Sequence, residues 1–439
     1  MATAKSFPGG VHPPEHKEAT EAKPIERPPM PKQLIVPLHQ NIGAPAEAVV
    51  EVGSTVRRGD VLGKASRPVS SSVHAGASGK VIEIGPRLGP AGADVMSVVL
   101  EVDSQSDQTA ADVDLAVDIE SLTPDTIRAR VAEAGIVGLG GAAFPTHVKL
   151  APPPDRPVDT IIINGCECEP YLTCDHRLMV ERPADIIQGA KLIAKATGAT
   201  KIILAVEANK PDAAEELNRA GQGMADVEVM VLPTKYPQGA EKMLIQACLG
   251  RAVPPRKLPF DVGVIVQNVG TAISVLEAVA IGKPLIERVV TVTGELVKEP
   301  RNLLVPIGTP IRALLEMCGA DLTQDCTVIL GGPMTGIAQA DLDVPVVKGT
   351  SGVVVIKARD AVKHLACVRC ARCVDNCPMR LMPADLGIAC EAANWARADK
   401  LYAQDCIECG VCAFVCPSLR PLVAWFKTAK AEIAAMNRK

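Results

Sequence analysis

The chain has 439 residues, of which 48% are apolar and only 2% aromatic, and its formal net charge is −4. Neither a basic surface nor stacking aromatic residues are available, which excludes nucleic acid as the main partner. No segment reaches the ~18 uninterrupted apolar residues of a membrane span, and the N-terminus lacks the apolar segment of a signal peptide. We therefore expect a cytoplasmic protein of about three domains that reaches a membrane only through partners.

The N-terminal quarter predicts two different structures. Residues 1–32 are rich in Pro, Glu and Lys, which is typical of an extended, largely irregular arm. Short apolar segments separated by glycine turns then predict an all-β domain over 33–103. Residues 104–122 are polar and acidic, as in a linker.

The middle of the chain, 123–285, alternates between apolar strand candidates and helical stretches. The predicted strands are 158–165, 201–207, 227–232 and 262–268. The predicted helices lie near 124–134, 178–197, 211–219, 238–249 and 271–280. Such alternation indicates a parallel sheet covered by helices.

The C-terminal third predicts three further pieces. Residues 286–357 are again β-rich, with strand candidates in VVTVTGEL, TVILGG and SGVVVIKA. A cysteine-rich module occupies 358–420, and 421–439 reads as an amphipathic helix. We expect that helix to bury Leu422, Val423, Trp425 and Phe426 against its own domain, the alternative being a partner or a membrane surface.

The strongest signal is the spacing of the cysteines. Eight of the fifteen form two runs of the pattern C-x2-C-x2-C-x3-C-P. In bacterial ferredoxins with this pattern the fourth cysteine of each run binds the other [4Fe–4S] cluster. The sequence therefore predicts two clusters that move single electrons. The first is held by Cys367, Cys370, Cys373 and Cys416, and the second by Cys406, Cys409, Cys412 and Cys377. Zinc is the alternative, but zinc sites usually combine pairs of C-x2-C.

The other cysteines carry weaker signals. Cys248, Cys318, Cys326 and Cys390 are expected to be ordinary buried thiols. Cys166, Cys168 and Cys174 suggest a third metal site, which we consider less favoured because C-x-C-x5-C matches no familiar cluster spacing.

A glycine-rich loop, GIVGLGGAAFPTHVK, occupies 135–149. Closely spaced glycines such as Gly138, Gly140 and Gly141 let backbone N–H groups approach a phosphate, and Lys149 can add a positive charge. On the glycines alone, a simple tight turn is an equal alternative. His147 is expected at the surface.

The full loop resembles the flavin loop G-x-G-G-A-G-F-P-T-G-x-K in the NADH-oxidising subunit of respiratory complex I and its hydrogenase relatives. Three later segments resemble that family in the same order: INGCECEP (163–170), YPQGAE (236–241) and QNVGT (267–271). Leu139, Cys166 and Ala240 stand where that family has Arg, Asp and Glu.

The order of the parts, with FPGGVHPPE-x-K in the N-terminal arm, is similar to the RnfC family, whose members belong to the Rnf complex. That complex is a membrane-bound, ion-pumping NAD:ferredoxin oxidoreductase. The resemblance implies a multidomain α/β protein. Its parts are a lipoyl-like barrel-sandwich β domain (33–103), a parallel α/β flavin domain (123–285), a soluble-ligand-binding β-grasp domain (286–357) and a C-terminal ferredoxin-like α module with two [4Fe–4S] clusters. No lysine stands at the hairpin tip of the first domain, where Ser70–Ser72 are expected, so we interpret it as structural.

The resemblance also implies residue roles. FMN would be contacted by Gly138, Gly140, Gly141, Lys149, Asn164 and Asn268, with Tyr236, Gly239 and Thr271 also in the cofactor-binding set. Glu167, Glu169 and Glu241, as catalytic candidates, and Phe144 would lie on the NAD(H) side. A solvated loop is the alternative for Glu167 and Glu169, and core packing for Phe144.

As implied by the resemblance, electrons would pass between NAD(H), FMN and the clusters, and on to membrane and iron–sulfur or flavin subunits of the complex. Ferredoxin would be reached indirectly, and the chain would lie at the cytoplasmic face of the inner membrane. Two alternatives remain. One is a soluble flavin and iron–sulfur reductase, such as a microcompartment cobalamin reductase; the other is an iron–sulfur relay without flavin.

Overall fold

The computed structural model describes residues 6–103, 118–359 and 363–437. The N-terminal arm runs along several parts of the molecule and forms one short strand, β1 (Ile25–Glu26). This strand pairs in parallel with Asn302 and Leu303. Phe7 and Val11 of the arm are buried as well. The arm is therefore extended, as predicted, and is fixed by contacts along its length.

The first domain is all-β, as predicted, and consists of two antiparallel sheets. Its strands are β2 (Gln33–Pro37), β3 (Ala46–Ala48), β4 (Thr55–Val56), β5 (Val61–Ala65), β6 (Val73–His74), β7 (Gly79–Leu88) and β8 (Asp94–Val102). The sheets have the orders β2-β8-β7-β4 and β3-β5-β6. Leu34, Leu62 and Leu100 fill the space between them. The predicted linker lies mostly outside the described residues, and its end forms a 3-10 turn at Ile119–Ser121.

The central domain has a four-stranded parallel sheet in the order β11-β10-β9-β12. Its elements are α1 (Pro124–Glu133), α2 (Thr146–Lys149), β9 (Thr160–Gly165), α3 (Cys174–Glu181), α4 (Pro183–Thr197), β10 (Lys201–Glu207), α5 (Pro211–Ala220), β11 (Val227–Leu232), α6 (Glu241–Leu249), β12 (Val264–Asn268) and α7 (Val269–Ile281). All four predicted strands are confirmed. The single helix predicted near 178–197 is wrong: α3 and α4 meet at Arg182, whose φ of −133° is not helical. Pro183 follows, and a proline lacks the N–H that would continue the helix.

The third domain is built around a six-stranded mixed sheet, to which the arm contributes an edge. Its elements are β13 (Glu287–Thr293), β14 (Arg301–Pro306), α8 (Ile311–Met317), β15 (Cys326–Leu330), β16 (Ile337–Gln339) and β17 (Gly352–Lys357). The order is β1-β14-β13-β17-β15-β16. The three predicted strand segments are confirmed.

The cysteine-rich part is helical, with α9 (Arg372–Asp375), α10 (Pro383–Glu391), α11 (Trp395–Lys400), α12 (Val411–Phe414) and α13 (Leu422–Met436). Leu422 and Phe426 of α13 are buried in its core, and Val423 and Trp425 pack against that core. The expectation that this helix packs on its own domain is confirmed. Within the described ranges, no helix is long and apolar enough to cross a membrane.

Candidate cofactor sites

The glycine loop folds so that its backbone faces outward. The Gly138 N–H donates to the Phe144 carbonyl at 2.9 Å, which closes the loop at its base. The Leu139 side chain is buried, and its N–H donates to the Thr271 hydroxyl at 2.9 Å. Gly140 is exposed, and so are the two residues after it. Gly141 has a φ of +105°, which a residue with a Cβ rarely adopts.

The barrel-sandwich domain supports the loop from one side. The Ile42 N–H donates to the Ala143 carbonyl at 3.1 Å. His147, expected at the surface, is half-buried, with its Nε2 at 3.3 Å from the Pro68 carbonyl. The first domain therefore helps to fix the conformation of the predicted flavin loop.

The hairpin tip of that domain is docked on the central domain. Ser71 is buried, and its hydroxyl donates to the Gly135 carbonyl at 2.9 Å. The buried Lys348 ammonium donates to the carbonyls of Gly135 and Ser72, each at 2.7 Å. A Cβ on Gly135 would lie 2.2 Å from the Ser72 carbonyl oxygen, so only glycine allows this approach. A tip held in this way acts as a structural contact.

Two asparagines lie near the carboxyl ends of neighbouring strands in the central sheet, at the edge where ligands bind in open α/β sheets. Asn268 lies opposite Asn164 in the β9–β12 register. Its side-chain oxygen accepts the Gly270 N–H at 2.9 Å, and its amide donates to Asp175 at 2.6 Å. A Cβ on Gly140 would lie 3.5 Å from the Asn268 Cβ, so the glycine loop passes directly over this asparagine.

The segment 236–241 closes the other side of the same edge. The Asn164 amide donates to the Gly239 carbonyl at 2.9 Å. Glu241 forms an ion pair with Lys149 at the end of α2, and both side chains are partly exposed. Phe144, five residues before Lys149 in the sequence, is half-buried. The fold thus assembles segments that are as much as 130 residues apart into one open, polar site.

Glu167 and Glu169 are not in a solvated loop. The Glu167 carboxylate accepts the N–H groups of Asp175 and His176, at 2.7 and 3.1 Å, and so caps the start of α3. Glu169 accepts the Met334 N–H at 3.0 Å and the hydroxyl of the next residue. Burial raises the pKa of Glu169. Their role toward NAD(H) stays a prediction, and both carboxylates also organise the protein around them.

Lys17, which is not among the predicted site residues, also belongs to this site. Its side chain is 4% exposed, and its ammonium donates to the carbonyls of Glu167 at 3.0 Å, Glu169 at 2.9 Å and Leu172. The arm therefore holds the loop that carries both candidate glutamates. A signal was present, because Lys17 belongs to the arm motif FPGGVHPPE-x-K.

A buried charged cluster lies beneath Asn268. Each of Glu167, Cys174 and Asp175 offers one atom that could bind a metal ion, and these three atoms lie within 4.8 Å of one another. Burial, followed by the charge of Glu167, raises the pKa of Asp175 to about 7. The buried Arg288 guanidinium interacts with Cys174 and Asp175 and donates to the Leu139 carbonyl at 3.3 Å. Because the Arg288 guanidinium already faces Cys174 and Asp175, binding of a metal cation at this cluster would be electrostatically unfavourable.

The central site fits FMN on two grounds. The loop presents exposed backbone at Gly140 and Gly141 next to the cationic Lys149. In addition, the buried Thr146 hydroxyl and both amide atoms of buried Gln238 have no hydrogen-bond partner among the described residues. An unpaired buried polar group costs about 1–3 kcal/mol, so these atoms fit a site that a polar cofactor completes. Both residues lie in segments that resemble the flavin family.

The eight cysteines divide into two sets, each lining one cavity. The first cavity is lined by Cys367, Cys370, Cys373 and Cys416. The second is lined by Cys377, Cys406, Cys409 and Cys412. These are the two crossed sets that the sequence predicts. Burial raises the pKa of Cys406 to about 11 and of Cys409 to about 12, so thiolates there need a positively charged partner, which suits an iron cluster.

The two runs are also repeats in backbone conformation. Left-handed residues recur at matching positions, as in the pairs Arg369 and Glu408 or Ala371 and Gly410. Each run then enters a one-turn helix, α9 or α12.

The four cysteines expected to be ordinary buried thiols are not all alike. Cys248, Cys318 and Cys390 are buried, as expected, whereas Cys326 is only partly buried.

Three elements meet at the second cysteine set. The Tyr236 hydroxyl, expected near the cofactor, donates to the Cys409 carbonyl at 2.7 Å. Val11 of the arm exchanges two backbone hydrogen bonds of 2.8 Å with Tyr236. The Gly10 N–H donates to the Asn376 carbonyl at 2.9 Å, next to Cys377.

Curated relatives align with nearly the whole chain, and each is the C component of an ion-translocating complex. That of the proton-translocating ferredoxin:NAD(+) oxidoreductase complex of Clostridium ljungdahlii is 44% identical over 91% of this chain and 87% of its own length. The Na(+)-translocating counterpart in Acetobacterium woodii is 43% identical over 99% and 98%. That of the ion-translocating oxidoreductase complex of Rhodobacter capsulatus is 41% identical over 98% and 83%. The chain belongs to this family, RnfC.

Family models agree with membership of the RnfC family. Residues 5–105 match the RnfC barrel sandwich hybrid domain, 131–277 the Nuo51 FMN-binding domain and 289–338 the SLBB domain. The crystal structure of an NAD+-reducing [NiFe]-hydrogenase in the H2-reduced state shares the fold. Its TM-score is 0.52 at 22% identity, covering 76% of this chain and 69% of that one. The predicted barrel-sandwich domain and mixed α/β organisation are therefore confirmed.

Proposed function

We propose that this chain is the peripheral subunit that exchanges electrons with NAD(H) in an Rnf-type complex, holding FMN and two [4Fe–4S] clusters. The observation that carries the proposal is the pair of separate cavities, each lined by four cysteines drawn from both runs. One of them is joined to the central domain through Tyr236. The names of the relatives, all components of ion-translocating complexes, favour this function over a soluble reductase.

In this proposal the central site holds the flavin through its backbone and one cation. The N–H groups of the loop at Gly140 and Gly141 face the phosphate, and Lys149 adds charge. Gly138, predicted to contact the phosphate as well, instead donates its N–H to the Phe144 carbonyl and closes the loop beneath the other two glycines. Asn164 and Asn268 contact the cofactor from the strand ends. Asp175 and Gly270 fix the orientation of the Asn268 amide by their hydrogen bonds. When bound, flavin supplies the conversion between two-electron hydride chemistry and single electrons.

The NAD(H) side is proposed to be formed by Phe144, Glu167, Glu169 and Glu241. Glu241 is accessible to a ligand, since its side chain is 37% exposed beside Lys149. Glu169 and Glu167 are held in place by Lys17 and by their own hydrogen bonds. The arm therefore positions the loop.

The two cysteine sets have different surroundings, and we use this difference to propose which cluster lies closer to the flavin site. The second set adjoins the central domain through the bond between Tyr236 and Cys409, and the third domain at Met334, whose carbonyl oxygen would lie 2.7 Å from a Cβ on Gly410. In the first set Cys370 is exposed. We assign the second set to the inner cluster and the first to the outer cluster, which faces a partner subunit. Attachment to the cytoplasmic face of the membrane would then depend on that partner.

The test is anaerobic purification with flavin, iron and sulfide counted per chain, followed by titration with NADH. We expect one FMN, about eight irons and bleaching by NADH. Cys409→Ser should lower the iron content by about half, whereas Cys390→Ser, a buried thiol outside both sets, should retain it. Lys149→Met should lose flavin, and its control Lys201→Met, in an exposed ion pair with Glu228, should keep it. Zinc in place of iron, or iron without flavin, would contradict the proposal.

A further inference from the structure

The two cysteine runs have the same backbone conformation but different surroundings. The second run uses one face to contact other parts of the protein, and the matching face of the first run is exposed. In the second run, Gly410 approaches Met334 of the third domain, and Val411 is fully buried with Val11 and Tyr236. The matching positions in the first run, Ala371 and Arg372, are exposed. The same backbone motif therefore has a protein partner at one cluster and none among the described residues at the other.

This exposed face has the composition of a docking surface. Leu365 and Val368 are each 65% exposed. Val368 lines the cavity of the first cysteine set, and the Leu365 N–H donates to the carbonyl of Ser418 in the same lining at 2.9 Å. Lys363, Arg369 and Arg372 are exposed around them, and the structure places no carboxylate of a described residue within ion-pair distance of these three cations. We call residues 363–372 the outer face.

The charge of the outer face is specific to the first run. Arg369 corresponds to Glu408 in the second run, and Glu408 is paired with Lys430. Arg372 corresponds to the buried Val411. The local positive charge also contrasts with the formal net charge of −4 for the whole chain. A cationic rim around apolar residues selects a partner of opposite charge and speeds its approach.

We propose that the outer face docks an acidic protein domain that carries a one-electron iron–sulfur centre, and that Arg369 and Arg372 select it. This inference rests on the proposed function, because the outer cluster must exchange electrons across the face. One electron leaves the reduced outer cluster and reduces the oxidised centre of the partner, with no bond made or broken; the reverse transfer balances in the same way.

The test compares two double variants with equal charge change. Arg369→Glu/Arg372→Glu reverses the outer face, and Arg397→Glu/Lys400→Glu reverses two exposed cations on α11 of the same module. The probes are an acidic plant-type [2Fe–2S] ferredoxin and the basic protein cytochrome c. Binding is measured by fluorescence anisotropy, and electron transfer by stopped flow.

We expect the outer-face variant to bind the ferredoxin about tenfold more weakly and to transfer electrons to cytochrome c faster. The α11 variant should resemble the unmodified protein. Binding of the ferredoxin to the unmodified protein should weaken as salt rises, since the screening length falls to about 10 Å at 0.1 M.

Failure of this inference and failure of the proposed function have different signatures. NADH bleaching should be the same in both variants and the unmodified protein; its absence from all three would overturn the function. If bleaching is intact but the two variants bind the ferredoxin equally, the docking inference is wrong. Binding to anionic lipid vesicles, or self-association, that the outer-face variant abolishes while ferredoxin binding is unchanged would also overturn it.

Discussion

The Tyr236 hydroxyl donates a hydrogen bond of 2.7 Å to the main-chain carbonyl of Cys409. This bond joins the segment that closes the central site to the run of cysteines at the inner cavity. Tyr236 is 3% exposed, and burial raises the pKa of its hydroxyl, which therefore stays protonated and can donate this bond at neutral pH. The relative position of the two proposed redox sites therefore depends on a tyrosine that the sequence resemblance places at the cofactor.

Replacing Tyr236 by phenylalanine removes this bond and keeps the ring. The Cys409 carbonyl would lose a buried partner, so we expect the free energy of unfolding to fall by about 1 kcal/mol. Differential scanning fluorimetry measures the change. Tyr402→Phe is the control, because that side chain is 54% exposed. Equal shifts in the two variants would show that the hydroxyl of Tyr236 has no special role.

Replacing Gly9 by alanine should detach the arm from the cysteine module. Gly9 has a φ of +68°, and a Cβ there would lie 2.7 Å from the Asn376 carbonyl oxygen. Gly92→Ala is a matched control, because Gly92 has a φ of +79° with no atom within 4 Å of its Cβ position. Both variants incur the left-handed penalty of about 1–2 kcal/mol, but only Gly9→Ala adds a clash with backbone. Limited proteolysis should cut the arm faster in Gly9→Ala alone; equal rates would count against the contact.

Lys17→Met should destabilise the loop that carries Glu167 and Glu169. Methionine has a similar length but cannot donate, so three carbonyls lose their common partner. We expect the free energy of unfolding to fall by about 3 kcal/mol. This is less than the sum of three hydrogen bonds, because the substitution also removes the cost of burying a charge. Thermal unfolding measures the loss. Lys23→Met is the control, since Lys23 makes an exposed bond to the Pro300 carbonyl. A stable Lys17→Met protein would show that the loop holds itself.

Local patterns explain what the sequence could predict. Four apolar runs became β9 to β12, because a buried parallel strand needs a short continuous apolar segment. The cysteine spacing grouped the two sets because, in this pattern, the fourth cysteine of each run binds the cluster of the other run. The break at Arg182 was missed, because the apolar periodicity continues across it and hides the effect of Pro183.

Long-range contacts explain what the sequence could not predict. Lys17 and Glu167 are 150 positions apart, and although Lys17 belongs to the arm motif, that motif does not indicate which carbonyls its ammonium meets. Arg288 and Met334 belong to the third domain, yet they contact Leu139 and Glu169 of the central one. Such contacts depend on how domains dock. The resemblance identified the residues of the loops but not the side chains behind them.

Asp175 gives a prediction about pH, because its pKa is raised in the folded protein. Burial, then the charge of Glu167, moves this pKa from 3.8 to about 7. Between these two values the folded state binds more protons than the unfolded state. The contribution of Asp175 to stability therefore falls as pH rises through this range, and the full penalty is present above pH 7.

Asp175→Asn removes the titrating charge and keeps an oxygen that can accept the Asn268 amide. We expect the variant to gain stability relative to the unmodified protein as pH rises from 5.5 to 8, in thermal midpoints measured anaerobically. Asp226→Asn changes an exposed carboxylate and should leave the pH profile unchanged. A difference between Asp175→Asn and the unmodified protein that stays constant, or shrinks, with rising pH would mean that Asp175 is ionised throughout and that Arg288 neutralises it.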